Sequence, residues 1–197
     1  MNKKNFRVAA ATALAVGAAL ILSACTMPMN MDMGDGTGSD GAGDQNMADV
    51  MFVQMMIPHH QQAVEMSDLI LGNPDVDPEV AALAEQIKAA QDPEIELMMQ
   101  WLEDWGVSSM GGMEGMDGMS GMDGMMSDEQ LASLESASGP EASTLFLELM
   151  IEHHQGAITM AEDVIANGQS AQVRDLAEQI ITSQTAEIDT MNELLSR

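Results

Sequence analysis

The sequence predicts an all-α protein, an antiparallel four-helix bundle assembled from two duplicated helical hairpins. The run Met56–Met66 recurs as Met150–Met160, 94 residues later, and Leu83–Ile87 recurs as Leu176–Ile180, 93 residues later. In both copies the apolar residues recur at helical spacing, and turn residues divide each copy into two helix-length segments. Because one such unit cannot bury its apolar face alone, two units are expected to pair into one domain.

The first hairpin is predicted over residues 47–106. Its first helix should cover residues 47–71 and stop at Gly72–Pro74. Its second helix should begin at Asp77, an acidic N-cap that is followed by Pro78 at the first helical position. Two prolines inside these helices are expected to kink or loosen them locally: Pro58 and Pro93.

The second hairpin is predicted over residues 140–197. Its first helix should run from about Pro140 to Asn167, and its second should start after Ser170 and continue almost to the C-terminus. Ahead of this hairpin, Ser127–Gln130 has the spacing of a capping box and predicts a short extra helix. Short turns make the helices of each hairpin antiparallel neighbours, and residues 47–197 form the predicted bundle domain.

The N-terminal segment, residues 1–24, is predicted to be a signal peptide. A basic start is followed by an apolar run over residues 8–22 that is too short for a membrane span. The segment ends in Leu22–Cys25, which resembles a bacterial lipobox. Cys25 is therefore predicted to be lipidated, placing an extracytoplasmic protein on the bacterial cell membrane. The alternative is an ordinary signal peptide followed by an incidental cysteine. The chain has one cysteine, so no disulfide framework is expected.

Two segments are rich in Gly, Asp and Met. Residues 25–46 are predicted to be a disordered tether. Residues 108–126 are predicted to be a flexible acidic loop between the hairpins, because Gly at this density does not support a helix. The loop carries methionine at every third position: Met110, Met113, Met116, Met119, Met122 and Met125. These thioethers are candidate metal ligands; the alternatives are a low-complexity spacer or an oxidant sink through methionine sulfoxide.

The charge balance restricts the partners of the chain. Among 197 residues there are six Lys and Arg against 32 Asp and Glu, a formal net charge of −26. This charge repels phosphate backbones, so nucleic-acid binding is excluded as a function. Metal cations are the partners that such a field attracts.

A repeated stripe of Met and His is the candidate site of the bundle. One stripe has spacing i, i+3, i+7, i+10 along its helix and recurs in the second half, so both should face the bundle axis. The adjacent histidines are expected at the helix–helix seams, and two methionines of the partner helices should also point inward. The candidate ligands are Met56, His59, His60, Met66, Met98, Met150, His153, His154, Met160 and Met191. The alternative is that Met fills the core and the inward histidines are ordinary core residues.

This donor set favours a soft metal. Thioether sulfur is a neutral, polarizable ligand that selects Cu(I) and, by the same softness, Ag(I), while imidazole serves both Cu(I) and Cu(II). Outside the cytoplasm, where thiols oxidise, a site without paired cysteines avoids that hazard. Copper is thus the predicted metal.

The doubled Met-x-x-His-His-x-x-Ala-x-x-Met motif, followed by Leu-Ala-x-x-Ile and Glu-Ile-x-x-Met, resembles the family called domain of unknown function 305. The resemblance covers the chain from about Met47 to Arg197. It implies a ferritin-like four-helix bundle and, for some members, an exported copper-binding protein of copper resistance. The family motif points to the Met and His residues of the two stripes, and the two Met-rich segments lie outside it.

Three function classes follow. The leading one is a non-enzymatic copper-binding lipoprotein that sequesters copper or transfers it, with an unidentified protein as donor or receiver. The second is a redox enzyme such as a di-iron oxidase, which needs Glu-x-x-His on two helices. Met or Ile stands three residues before each histidine here, which argues against it. The third is a helical interaction module whose Met and His are structural.

Overall fold

The computed structural model describes residues 45–108 and 124–197, which are helical and contain no strand. The helices in chain order are α1 (Met47–Leu71), α2 (Pro78–Asp104), α3 (Asp128–Ser136), α4 (Gly139–Asn167) and α5 (Ala171–Leu195). The all-α prediction is confirmed, and the predicted helix ends agree closely with the observed ones. The predictions for the signal peptide, Cys25, residues 25–44 of the tether and most loop methionines lie outside the described residues. The predicted tether needs a correction at its end, because Asn46 caps α1.

Local side-chain bonds fix where the helices begin. At the start of α1, Asn46 accepts hydrogen bonds from Ala48 and Asp49 amides, and Asp49 accepts one from the Asn46 amide at 2.7 Å. The predicted capping box of α3 is confirmed, because the amides of Ser127 and Gln130 each donate to the side chain of the other residue. Helices α1 and α2 continue unbroken through their internal prolines, Pro58 and Pro93.

The hairpins α1–α2 and α4–α5 meet through α1 and α4, and α3 lies on both of these central helices. The hairpins also interlock at their ends. The Asp49 carboxylate of α1 accepts hydrogen bonds from the amides of Gln169 and Ser170 at 2.9 and 3.1 Å. At the equivalent place, the Ser143 hydroxyl of α4 accepts one from the Asp77 amide at 2.9 Å. Each central helix therefore caps the turn of the other hairpin.

Two hydrophobic clusters fill the bundle. The first, here called the α3-side core, includes Met66, Ile87, Phe146 and Met150 together with Leu134 of α3. The second, here called the distal core, draws on the opposite ends of the same helices. Along every one of the four long helices, buried polar residues separate the two cores. This set is here called the polar layer: His59, His60, Gln91, His153, His154 and Gln184. None of the helices in the two described ranges is long and apolar enough to cross a membrane.

Candidate metal centre

The central helices bring the four histidines together at the midpoint of the bundle. All four are fully buried. The rings of His59 and His153 face each other across the α1–α4 contact, with centroids 3.8 Å apart and planes inclined by 37°. The predicted inward direction of this pair is therefore confirmed, and the pair lies where the two halves of the repeat meet.

The other two histidines lie at the seams within each hairpin, as the sequence indicates. His60 Nε2 lies 2.7 Å from Glu94 Oε2 on α2, and His154 Nε2 lies 2.7 Å from Glu187 Oε2 on α5. In neutral histidine this contact places the proton on Nε2, which donates to the carboxylate. The lone pair is then on Nδ1. In both rings Nδ1 has no hydrogen-bond partner among the described residues.

Burial favours neutral imidazole at two of the four histidines, His153 and His154. Burial lowers the pKa of His153 well below its ordinary value, and the other histidines lower it further. Burial also lowers the pKa of His154, although the hydrogen bond and charge of Glu187 act in the opposite direction. Neutral imidazole is the form that binds metal, so these rings need not release a proton first.

Six methionines lie in or against the hydrophobic cores on either side of the polar layer, in two equivalent sets. Met56 and Met98 belong to the distal core, and Met160 packs against it. Their repeat equivalents Met150, Met191 and Met66 belong to the α3-side core. Five of these residues are fully buried; the exception is Met160, which is half-buried because it lies at the edge of the distal core. The structure thus places thioethers on both sides of the histidines.

Among the loop methionines, Met125 is described, and it is half-buried rather than fully accessible. Its neighbour Met126 is buried in the α3-side core. The Gln62 side chain holds the Met126 backbone by two hydrogen bonds of 2.7 and 2.9 Å. The prediction of a loop over residues 108–126 thus needs a correction at its end, because residues 124–126 are docked on the bundle. Met110, Met113, Met116, Met119 and Met122 lie outside the described residues.

Four polar residues of the partner helices belong to the site but were not predicted as site residues. Glu94 and Glu187 orient the seam histidines, and Gln91 and Gln184 are buried in the same layer. The signal was available, since both pairs recur at a spacing of 93 residues. The Glu-x-x-His pattern would place a carboxylate three residues before each histidine on the same helix, whereas the fold supplies the carboxylate from the facing helix.

The histidines of the layer and the methionines of the flanking cores together suit a soft ion better than a hard one. In the described ranges, no group of three or more His, Cys, Asp or Glu side chains is arranged to hold a metal. Methionine sulfur from the flanking cores would supplement imidazole, and this combination of donors suits Cu(I). The Gln91 and Gln184 amides, each 2% exposed, have no hydrogen-bond partner within the described chain. The layer thus retains buried polar atoms that a bound group could satisfy.

These features define a duplicated four-helix bundle with a buried layer of histidine flanked by methionine. A model of the family described as Domain of unknown function (DUF305) matches residues 49–195. The chain belongs to the DUF305 family, as its doubled motif indicates.

Solved structures agree with this assignment. A DUF305 fragment from Deinococcus radiodurans is 32% identical, with a TM-score of 0.71, and the match covers 78% of this chain and 99% of that one. A DUF305 protein from Streptomyces coelicolor, described as a predicted secreted protein, is 35% identical, with a TM-score of 0.69 and coverages of 76% and 92%. No curated protein matches the sequence.

A third similar structure is that of CopM in its Cu(II)-bound form. It is 34% identical, with a TM-score of 0.63, and the match covers 75% of this chain and 95% of that one. Matching structures of CopM also include Cu(I)-bound, Ag-bound and apo forms. Members of this helical family thus include a protein crystallised with copper and with silver.

Proposed function

We propose that this chain is an exported copper-binding protein that sequesters or transfers copper, mainly as Cu(I), through methionine and histidine. One observation carries the proposal: the fold gathers all four histidines at the bundle midpoint, with methionines on both sides. The similarity to CopM, which has Cu(I)- and Cu(II)-bound forms, supports copper as the cargo.

The polar layer is the proposed tight site. Its donors are held in place by packing before an ion arrives, so binding costs little ordering entropy. The Glu94 and Glu187 carboxylates fix the proton on Nε2 of His60 and His154, which leaves each Nδ1 lone pair available to a metal. Thioether sulfur then discriminates in favour of Cu(I) and Ag(I), and imidazole also accepts Cu(II).

The loop over residues 108–126, here called the Gly-Met loop, is proposed to recruit copper with weaker and more numerous sites. A glycine-rich segment loses about 1–2 kcal/mol of backbone freedom per residue that it orders around an ion. Asp and Glu on the same segment raise the local concentration of cations. Recruitment and tight holding are thereby divided between two parts of the chain.

Binding without turnover is the proposed activity. The Glu94 and Glu187 carboxylates are each engaged by a histidine, and neither stands in the Glu-x-x-His arrangement of di-iron oxidases. The chain is further proposed to be anchored outside the cytoplasmic membrane by lipid on Cys25. Mass spectrometry of the membrane-bound protein tests this anchor: a mature chain that begins at lipidated Cys25 is expected, and a chain that retains residues 1–24 contradicts it.

A competitive Cu(I) titration of residues 26–197 tests the copper site. This piece contains every described helix and no cysteine. The double variant His59→Ala, His153→Ala should lose the tightest site while its helicity remains. A deletion of residues 109–123, which spares the docked Met126, should bind less total copper but keep the tightest site.

A matched control separates loss of ligands from loss of packing. Ile70→Ala with Ile180→Ala removes two fully buried side chains, one from each hydrophobic core. This variant should be destabilised yet retain the tightest Cu(I) site. If the histidine variant binds Cu(I) as tightly as the parent, the histidines are core residues and the proposed ligand set is wrong.

A further inference from the structure

An open groove lies beside the distal core, between the start of α1 and the end of α4. Its volume is about 350 Å³. Phe52 and Val164, both buried, line its apolar interior. Three methionines also line it, Met51 and Met55 from α1 and Met160 from α4, together with an acidic residue, Asp163. None of the proposed copper ligands except Met160 contributes to this groove.

The internal repeat supplies a matched reference for the groove. The interior is repeated, since Phe52 corresponds to Phe146 and Val164 to Ile70, 94 residues apart. The other lining residues differ. Leu145, Leu149 and Leu69 stand at the positions equivalent to Met51, Met55 and Asp163, whereas Met66 matches Met160.

The two places also differ in what covers them. In the α3-side core, Leu149 is buried, Leu145 and Leu69 pack against the cluster, and Leu134 of α3 joins it. Helix α3 lies on both α1 and α4 there. In the open groove Met51 remains 52% exposed, and Met55 and Met160 are half-buried. At the three positions that differ, the covered side carries leucine, and the side open to solvent carries methionine or aspartate.

Burial alone does not account for this exchange, because leucine would fill an apolar groove equally well. What methionine adds is a soft sulfur donor. Met51 and Met55 are four residues apart and therefore lie on one face of α1, and Met160 approaches from the facing helix. Asp163 adds a negative charge at the same place. Three neutral thioethers beside a carboxylate form a donor set for a soft monovalent cation.

We propose that Met51, Met55 and Met160 form a separate surface site for one Cu(I) or Ag(I) ion, with Asp163 attracting the cation. The inference rests on the proposed copper function and deepens it by naming an accessible site outside the polar layer. Its position suits an ion that is passing between solvent and the interior, because Met160 both lines the groove and packs against the distal core.

The described ends of the Gly-Met loop contact the two helices that line this groove. The Gln54 side chain, one turn from Met51, donates to the Ser108 carbonyl at 2.9 Å. On the other side, Gly124 lies against α4 so closely that a Cβ would stand 2.8 Å from Gly156 Cα and 2.9 Å from the His153 carbonyl oxygen. The segment between Ser108 and Gly124 thus starts beside α1 and ends beside α4, the two helices that carry the proposed ligands, which suits an exchange of ions with them.

The test is an Ag(I) titration of residues 26–197, followed by NMR of methionine methyl groups labelled with carbon-13. Ag(I) is used because it is soft and needs no reductant. In the parent chain, the methyl signals of Met51, Met55 and Met160 should shift together as one ion binds. The double variant Met51→Leu, Met55→Leu should lose one equivalent of Ag(I) and stay folded, since leucine occupies both equivalent positions in the other hairpin.

The control is Met47→Leu with Met99→Leu, which replaces two methionines that are 72% and 47% exposed and lie outside the groove. It should bind as much Ag(I) as the parent. If the parent binds Ag(I) while these three methyl signals stay unchanged, the surface site is wrong and the proposed copper function stands. If the parent binds neither Ag(I) nor Cu(I), both proposals fail.

Discussion

The two hairpins of the bundle are alike along its axis and different on its outer face. Both carry a buried histidine pair, a carboxylate from the facing helix and three methionines at the border of the polar layer. They differ where the α3-side core is covered by α3 and the distal core is open. Duplication thus gives the bundle a symmetric interior. Helix α3, in the connection between the hairpins, makes its surface asymmetric.

The largest expected difference is in the free energy of unfolding that is lost when Met66 or Met160 is truncated. These residues are equivalent in the repeat, but Met66 is fully buried and Met160 is half-buried. In metal-free protein, Met66→Ala should lower the free energy of unfolding by about 2–5 kcal/mol, because it leaves a cavity in a closed core. Met160→Ala should cost only about 1 kcal/mol, because its site opens to solvent. Urea unfolding measures both values.

Equal losses from the two methionine variants would contradict the asymmetry between the cores. Met99→Leu is the control for this pair, since Met99 is exposed on α2, and its unfolding free energy should stay within about 0.5 kcal/mol of the parent value.

The second prediction concerns the two carboxylates, which should behave alike. Glu94→Ala and Glu187→Ala each leave the Nε2 donor of a fully buried histidine without its partner. Such a loss costs about 1–3 kcal/mol, so both variants should be destabilised by similar amounts. Weaker Cu(I) binding should accompany the loss, because each imidazole is then free to change its tautomer and orientation.

Replacement of Glu148 provides the reference for the carboxylates, because this exposed glutamate of α4 lies outside the polar layer. Glu148→Ala should change neither stability nor copper binding. A large effect of Glu94→Ala with none of Glu187→Ala would break the symmetry of the layer.

The third and smallest effect is a dependence of stability on pH. The pKa values of His153 and His154 are lowered in the fold by burial, so the unfolded chain binds protons there more readily. The stability that these two neutral histidines contribute is therefore fully present above the ordinary histidine pKa of about 6.5. This contribution is lost as the pH falls below that value. Each histidine contributes a slope of up to about 1.4 kcal/mol per pH unit.

Urea unfolding of metal-free protein between pH 7.5 and pH 5.5 measures this slope. His153→Gln removes one titrating group, so it should reduce the slope by up to about 1.4 kcal/mol per pH unit. Glu148→Ala should leave the slope unchanged. A stability that is flat or rises as the pH falls through this window would show that the buried histidines are not kept neutral by the fold.

The sequence by itself determined the helices and their pairing. Cap residues such as Asp77 and Ser127 set the helix ends through bonds between near neighbours in the chain. The repeat determined that the same residues recur in both halves, and helical spacing placed Met56, His59 and their equivalents on the inner face. These features follow from local geometry, so no knowledge of the packing was needed.

Only the tertiary structure decided which groups meet across helices. The contact of His59 with His153, and the pairing of His60 with Glu94, join residues of different helices at distances that depend on how the helices pack. Likewise, α3 covers one end of the α1–α4 face and leaves the other open, although the sequence on the two sides is related. Helical spacing gives the direction of a side chain from its own axis, but the position of the neighbouring helix comes from the balance of packing over the whole bundle.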